Sequence, residues 1–267
     1  MPPRFVVHRG GAALGPENSL LAFRSAIAQG AELLELDVHR TLDGRAAVIH
    51  DATLDRTSDA RGPVVSRTAE ELHRVRLRGP DGQLTAEWVP LLDEVAALAA
   101  PHRVGLLVEI KTPGPPVRYE HTEMGVELVA GERYEGLERE VLAGLAAASM
   151  SERAVVMAFN PAVLAELRKL APAQRSALLV NRDHLIDAGR PSAEAVAWAQ
   201  AAGADVLGLH YSLCDAAVVA AARRAGLGLG VFTVNDEEEI RRLTMLDVDV
   251  IITDRADLVA RLRKDEA

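Results

Sequence analysis

The chain has 267 residues, a formal net charge of −9 and 49% hydrophobic residues. This length and apolar content favour one large globular domain with a sizeable core. The acidic balance argues against nucleic acid as the main partner, because phosphate backbones are bound by basic surfaces. The single cysteine, Cys214, excludes an internal disulfide bond and is interpreted as a small buried hydrophobe.

Neither a secretory signal nor a membrane span is predicted. The apolar run near the N-terminus is too short for a signal peptide, and there is no run of about 18 apolar residues. We therefore expect a cytoplasmic protein without stable membrane insertion.

Short β-branched runs alternate along the chain with Ala- and Leu-rich helical runs, as is typical of an α/β fold with a parallel sheet. The predicted strands are Phe5–Val7, Leu33–Val38, Ala46–Ile49, Gly105–Ile110, Val155–Ala158, Ser176–Leu179, Val206–Leu209, Leu229–Thr233 and Val250–Thr253. The predicted helices are Ser19–Gln29, Leu91–Ala99, Leu137–Ala148, Pro161–Leu170, Ala193–Ala202, Ala216–Ala225, Glu237–Leu243 and Ala256–Arg263.

One of the nine predicted strands is not expected to belong to a barrel. Asp43-Gly44 is a strong signal for a two-residue hairpin loop, so Ala46–Ile49 should return antiparallel on its predecessor. Eight strands then remain, which predicts a (β/α)8 TIM barrel formed by residues 1–267 as a single domain. The same loop would pair Asp37 with His50, with Cβ atoms about 5 Å apart.

Two segments depart from the simple repeat. Residues 52–90 contain many turn residues and one weak helix, Ala69–Val75, which predicts a small insertion after the second barrel strand. Residues 112–135 are rich in Pro, Gly and charge, which predicts a long loop with room for one helical turn.

Three carboxylates are expected at the carboxyl ends of neighbouring strands. Glu35 and Asp37 are two residues apart on one strand and so share a face, and Glu109 follows a purely apolar run on another. Three carboxylates form an all-oxygen site suited to Mg²⁺ or Ca²⁺. The alternative is a set of structural ion pairs with Arg9 and Lys111.

Two histidines, His8 and His50, end predicted strands near these carboxylates. A lone histidine there is more often a hydrogen-bonded structural residue, but a pair can divide the roles of general acid and general base. Arg9 and Lys111 are candidates for binding phosphate oxygens. Three further candidate substrate contacts are Asn235, Phe159 and Phe232. Asp254 is interpreted as the N-cap of the last helix.

A series of short motifs resembles those of glycerophosphodiester phosphodiesterases and occurs in the same order. They are His8-Arg9-Gly10, Pro16-Glu17-Asn18-Ser19, Glu35-Leu36-Asp37-Val38, Val48-Ile49-His50-Asp51, Leu54-Asp55-Arg56-Thr57, Glu109-Ile110-Lys111 and Ile251-Ile252-Thr253-Asp254. Together they span nearly the whole chain.

The resemblance implies a barrel that hydrolyses small glycerophosphodiesters to sn-glycerol 3-phosphate and an alcohol. It implies a divalent metal, Mg²⁺ or Ca²⁺, on Glu35, Asp37 and Glu109. It also implies His8 and His50 as the acid–base pair, with Arg9 and Lys111 on the phosphate. The departures, such as Phe232 where the family commonly has Trp, fall on substrate walls and leave the alcohol unspecified.

Two alternative functions stay open. A lysophospholipase D would use the same chemistry on lysophospholipids, but it calls for an apolar channel or a membrane-facing surface. The chain has nine aromatic residues and no basic amphipathic stretch. A non-catalytic binding barrel would have lost a histidine or a carboxylate, and none is lost. The sequence does not predict the oligomeric state.

Overall fold

The computed structural model describes residues 2–122 and 125–265. The chain divides into two compact units. The first unit contains Phe5–Ile110, Glu135–Ala154 and the chain from Thr253 onward, and the second contains Lys111–Tyr134, Val155–Ile252 and the residues up to Arg4. In the described residues, eight parallel strands alternate with helices. The predicted fold class, a (β/α)8 barrel, is confirmed.

In the first unit, the strand Leu33–Arg40 lies between two parallel neighbours. It pairs with Arg4–Val7 through Val6 and Leu33, and with Gly105–Ile110 in a register that sets Asp37 opposite Glu109. The strands are almost entirely buried, as expected for parallel strands covered on both faces. This register brings the predicted carboxylates of two strands to one level.

The helices of this unit begin and end close to the predicted positions. The first is Leu20–Ala28, which begins after Ser19 because the Ser19 hydroxyl accepts a hydrogen bond from the Ala22 N–H at 3.1 Å. The other long helices are Leu92–Ala99, Leu137–Ala147 and Ala256–Asp265.

The predicted two-residue hairpin loop is wrong. The returning strand is Ala46–Val48, and Val38 pairs with Val48. Thr41 N–H donates to the Arg45 carbonyl at 2.9 Å, so the loop has the three residues Leu42-Asp43-Gly44. The Thr41 hydroxyl stabilises this longer loop because it accepts from the Arg45 N–H at 2.8 Å. Asp37 therefore lies opposite Ile49, whose N–H donates to the Asp37 carbonyl at 3.0 Å, and not opposite His50.

The segment 52–90 has a small apolar cluster of its own, which includes Leu54, Leu72 and Val89. Its helix is Ala69–Leu72, shorter than predicted, and begins with a capping box between Thr68 and Glu71. Two strands that the sequence did not predict, Arg76–Arg78 and Leu84–Trp88, form an antiparallel pair.

The second unit carries the remaining parallel strands, each paired with the next along the chain. They are Ala154–Ala158, Ser176–Val180, Val206–His210, Gly228–Phe232 and Val250–Thr253. The helices are Pro161–Leu170, Arg182–Asp187, Glu194–Ala202, Ala216–Arg224 and Glu237–Met245. Cys214 is buried, as predicted, and burial raises the pKa of its thiol to about 11. None of the helices described has the length and hydropathy that crossing a bilayer requires.

The prediction of a loop with one helical turn over 112–135 is wrong. The strands Val117–Thr122 and Gly125–Ala130 pair antiparallel, with Val117 opposite Ala130. The sequence Val126-Glu127-Leu128-Val129-Ala130 contains apolar residues at alternate positions, which is a strand signal. The Pro and Gly residues on either side hid that signal.

Gly10 is required by a close approach between the turn after the first strand and the helix Leu20–Ala28. Its φ is +78°, and an added Cβ would lie 2.8 Å from the Ala22 Cβ. We expect Gly10→Ala to lower the free energy of unfolding by about 2–4 kcal/mol, through both strain and overlap. Gly62→Ala is the matched control, since Gly62 has a φ of +90° but nothing within 4 Å of an added Cβ. Urea unfolding of both variants measures the difference, and an equal loss in the two would contradict the steric argument.

Candidate active site

Three buried carboxylates lie together in the first unit. The side chains of Glu35, Asp37 and Glu109 are 1%, 0% and 7% exposed, and one oxygen of each lies within 4.8 Å of the others. Glu35 and Asp37 share a face of one strand, as predicted, and Glu109 faces Asp37 across the strand pair. The group is able to hold a divalent cation, because it offers clustered carboxylate oxygens and no softer ligand.

Like charges at this spacing are costly without a cation. Burial is the largest cause that raises the pKa of Glu35, to about 8, and Asp37 raises it further. His8 and Arg9 act in the opposite direction. Burial and Asp37 thus oppose ionisation of Glu35, whereas a bound cation or a protonated His8 would favour it.

Arg9 is held among these acids by an unusual backbone conformation. Its φ is +52°, which directs its own N–H to the Glu35 Oε2 at 3.1 Å. Its Nε lies 3.2 Å from the Asp37 Oδ2, in an ion pair without hydrogen-bond alignment. Its Nη1 donates to the Glu17 Oε1 at 3.2 Å. Arg9 thus balances part of the negative charge of the three carboxylates.

Asn18 is a supporting residue that the sequence reasoning missed. Its side-chain amide donates to the Asp37 Oδ2 at 3.0 Å, and Asn18 is 2% exposed. The motif Pro16-Glu17-Asn18-Ser19 carried the signal, because the helix cap accounts for Ser19 and leaves the other polar residues of the motif unexplained.

His8 lies between two acids. Its Nδ1 is 2.6 Å from the Asp254 Oδ1, and its Nε2 is 3.7 Å from the Glu35 Oε2. Burial alone would lower the pKa of His8, but the charge of Glu35 and the hydrogen bond to Asp254 outweigh it and raise that pKa. A carboxylate on Nδ1 favours the tautomer with a proton there, which leaves Nε2 to exchange protons.

The predicted N-cap role of Asp254 is wrong, because the last helix begins at Ala256 and Arg255 precedes it, whereas the Asp254 carboxylate contacts His8. We therefore predict that Asp254 positions His8. We expect Asp254→Asn to reduce kcat by about 10- to 100-fold, because the amide no longer selects the tautomer or stabilises charged His8. KM should change little if Asp254 acts through His8 alone. Steady-state kinetics measures both constants. Unchanged kcat in the Asn variant would exclude the positioning role.

His50 has an equivalent carboxylate partner. Its Nδ1 is 2.6 Å from the Asp51 Oδ1, and Arg56 Nε donates to the Asp51 Oδ2, also at 2.6 Å. The hydrogen bond from Arg56 is the main cause that lowers the pKa of Asp51, to about 2. Arg56 Nη1 also donates to the Glu17 Oε2 at 2.8 Å. A network from His50 to Arg9 therefore runs through Asp51, Arg56 and Glu17.

The other predicted site residues lie in the second unit. Phe159 and Phe232 pack edge to face with ring centroids 5.8 Å apart, and Phe159 also contacts His184 at 5.5 Å. Lys111 directly follows the strand Gly105–Ile110, and Asn235 follows Gly228–Phe232. Their contact with substrate stays a prediction.

Comparison with known proteins places this chain in a family. The model of the glycerophosphoryl diester phosphodiesterase family matches residues 8–258, which include every residue of the acidic group and both histidines. The chain belongs to this family. The resemblance found in the sequence motifs is thereby confirmed.

Individual relatives are similar to this protein over nearly all of its length. A glycerophosphodiester phosphodiesterase of Caldanaerobacter subterraneus subsp. tengcongensis is 30% identical over 260 residues, covering 96% of each chain. A crystal structure from Agrobacterium tumefaciens, named for the same family, is 30% identical with a TM-score of 0.84 and covers 100% of this chain and 99% of that one. An Oleispira antarctica phosphodiesterase, solved in complex with the product sn-glycerol-3-phosphate, shares the fold at 23% identity and a TM-score of 0.75, with 99% and 97% coverage.

Proposed function

We propose that this protein hydrolyses small glycerophosphodiesters to sn-glycerol 3-phosphate and an alcohol. The observation that carries the proposal is the buried acidic group of Glu35, Asp37 and Glu109, with His8 held 3.7 Å from Glu35. Support also comes from the names of full-length relatives and from the product bound by the Oleispira antarctica enzyme. Those names do not favour the lysophospholipid alternative.

We propose Mg²⁺ or Ca²⁺ as the cofactor, held by Glu35, Asp37 and Glu109. The all-oxygen donor set and the raised pKa of Glu35 both fit a hard cation. When bound, the cation would supply positive charge for the phosphoryl oxygens and would lower the pKa of the nucleophile, a glycerol hydroxyl or a water molecule.

The side chains divide the remaining work. Of His8 and His50, one accepts the proton of the attacking oxygen, and the other donates a proton to the alcohol oxygen as its bond to phosphorus breaks. Asp254 and Asp51 orient the two rings through Nδ1. Arg9 and Lys111 bind phosphate oxygens, and Asn235, Phe159 and Phe232 contact the substrate.

A substrate panel tests this function. Glycerol 3-phosphate release is measured from glycerophosphocholine, glycerophosphoethanolamine and glycerophosphoglycerol, each with Mg²⁺, with Ca²⁺ and with chelator. We expect release with at least one cation and its loss on chelation. Release that chelator leaves unchanged would exclude the metal assignment, and no release from any diester would exclude the proposed reaction.

A further inference from the structure

A small pocket of the first unit is lined by Glu17 and Arg56, which are hydrogen-bonded to residues of the candidate active site. Its volume is about 250 Å³, and its wall includes Glu17, Arg56, Thr57, Arg78 and Gly82. Whole ligands usually occupy pockets of about 300–1,000 Å³. This pocket therefore suits one part of a substrate and not all of it.

Hydrogen bonds connect the pocket to both sides of the catalytic centre. Glu17 accepts from Arg9 Nη1 at 3.2 Å, and Arg9 lies 3.2 Å from Asp37. Arg56 donates to Asp51, the carboxylate that holds His50. The pocket is therefore linked to Arg9 and to the partner of His50, and a diester whose phosphate lies on Arg9 could place its alcohol half there.

Arg78 gives the pocket a positive charge that no acid balances. Among the described residues, no carboxylate lies within ion-pair distance of Arg78, whereas Arg56 is paired with both Asp51 and Glu17. Arg78 Nε donates to the Ser58 carbonyl and its Nη1 to the Gly82 carbonyl, each at 3.0 Å. A guanidinium has five N–H donors, so the two bonds fix its orientation and leave donors for a ligand.

Thr57 adds a buried hydroxyl to the same wall. The residue is 7% exposed, and its Oγ1 has no hydrogen-bond partner among the described residues. An unsatisfied buried hydroxyl costs about 1–3 kcal/mol. Because the Oγ1 atom itself is closed off from solvent, a ligand oxygen would satisfy it only if the Thr57 side chain turned toward the pocket.

We propose that this pocket binds an anionic group on the alcohol half of the substrate, so that diesters with a charged alcohol such as a carboxylate are preferred. The inference rests on the proposed function, because the pocket selects among substrates of that reaction. An anion here would form charge-assisted hydrogen bonds with Arg78. The pocket, at about 250 Å³, is too small for a long acyl chain.

Two substrates that differ in one carboxylate test the proposal. We expect wild-type kcat/KM to be about tenfold or more higher for glycerophosphoserine than for glycerophosphoethanolamine, as one charge-assisted interaction provides. Arg78→Gln should bring that ratio close to one, and Arg78→Lys should retain part of it. Arg76→Gln is the matched control, because Arg76 is exposed on the same strand and does not line the pocket. It removes the same charge and should leave the ratio unchanged.

Equal wild-type kcat/KM for the two diesters, or an unchanged ratio in Arg78→Gln, would overturn the proposal. An equal loss on both substrates would show that Arg78 only clamps the strand pair. If neither diester is hydrolysed, calorimetric titration of the two diesters into metal-loaded wild type and Arg78→Gln tests the pocket separately from the proposed function. Tighter binding of glycerophosphoserine that depends on Arg78 would support it, and equal binding would reject it.

Discussion

Glu35→Gln is expected to lower turnover by roughly 10²-fold or more and, at the same time, to make the metal-free protein more stable at neutral pH. The loss of activity follows from removal of one of three carboxylates from the proposed cation site. The gain in stability follows from the same geometry, since burial and Asp37 oppose ionisation of Glu35 in the folded state and an amide does not ionise in either state.

The pH dependence of that gain has a defined sign. Burial and Asp37 raise the pKa of Glu35 from its ordinary value of 4.5 to about 8 in the folded state. The unfolded chain therefore loses this proton first, and the stability of metal-free wild type falls as pH rises between about 4.5 and 8. At pH 7 the shift in the pKa of Glu35 lowers the free energy of unfolding of metal-free wild type by about 3 kcal/mol. Glu35→Gln should remove this loss.

Urea unfolding in chelator at pH 5 and pH 7.5 measures this effect, together with kcat in excess Mg²⁺ or Ca²⁺. Glu140→Gln is the control, because Glu140 forms a partly exposed ion pair with Arg45 outside the site. It should change stability by less than about 1 kcal/mol and leave kcat unaltered. Added cation should stabilise wild type and not Glu35→Gln. A Glu35→Gln protein with wild-type turnover would remove Glu35 from the cation site.

Replacing either histidine should have a comparable effect on turnover without loss of the cation. We expect His8→Ala and His50→Ala each to lower kcat by about 10²-fold or more, because each removes one proton-transfer step from the transition state. Neither histidine belongs to the acidic group, so metal affinity measured by calorimetry should stay within about an order of magnitude of wild type.

His102→Ala serves as the control for surface histidine loss, because His102 is exposed and lies in the turn before the strand Gly105–Ile110. The His102→Ala variant should have the same kcat as wild type. Normal kcat in His50→Ala would exclude His50 from proton transfer, and loss of metal binding in His8→Ala would mean that its ring holds the cation instead.

Periodicity predicted those parts of the site that lie on regular strands. Glu35 and Asp37 share a face because strand side chains alternate, and an apolar run predicted the strand that ends near Glu109. The position of His50 did not follow from the same argument. The hydrogen bond from the Arg45 N–H to the Thr41 hydroxyl stabilises a hairpin loop one residue longer than predicted. A shift of one residue changes every cross-strand pair.

Contacts between segments that are distant in the chain could not be predicted from the sequence. Asp254 reads equally well as a helix cap or as a partner for His8, and only the fold brings the two together. The sheet formed by Val117–Thr122 and Gly125–Ala130 was missed for a local reason, since Pro and Gly on both sides hid a short alternating pattern.

The His8–Asp254 pair joins residues 246 positions apart in the chain. On a ribosome, His8 emerges early, and its carboxylate partner emerges only after almost the whole barrel has been synthesised. A nascent or prematurely terminated chain can therefore contain the acidic group, His8 and His50 and still have His8 without its orienting partner. The proposed role of His8 therefore requires nearly the whole chain to have been synthesised.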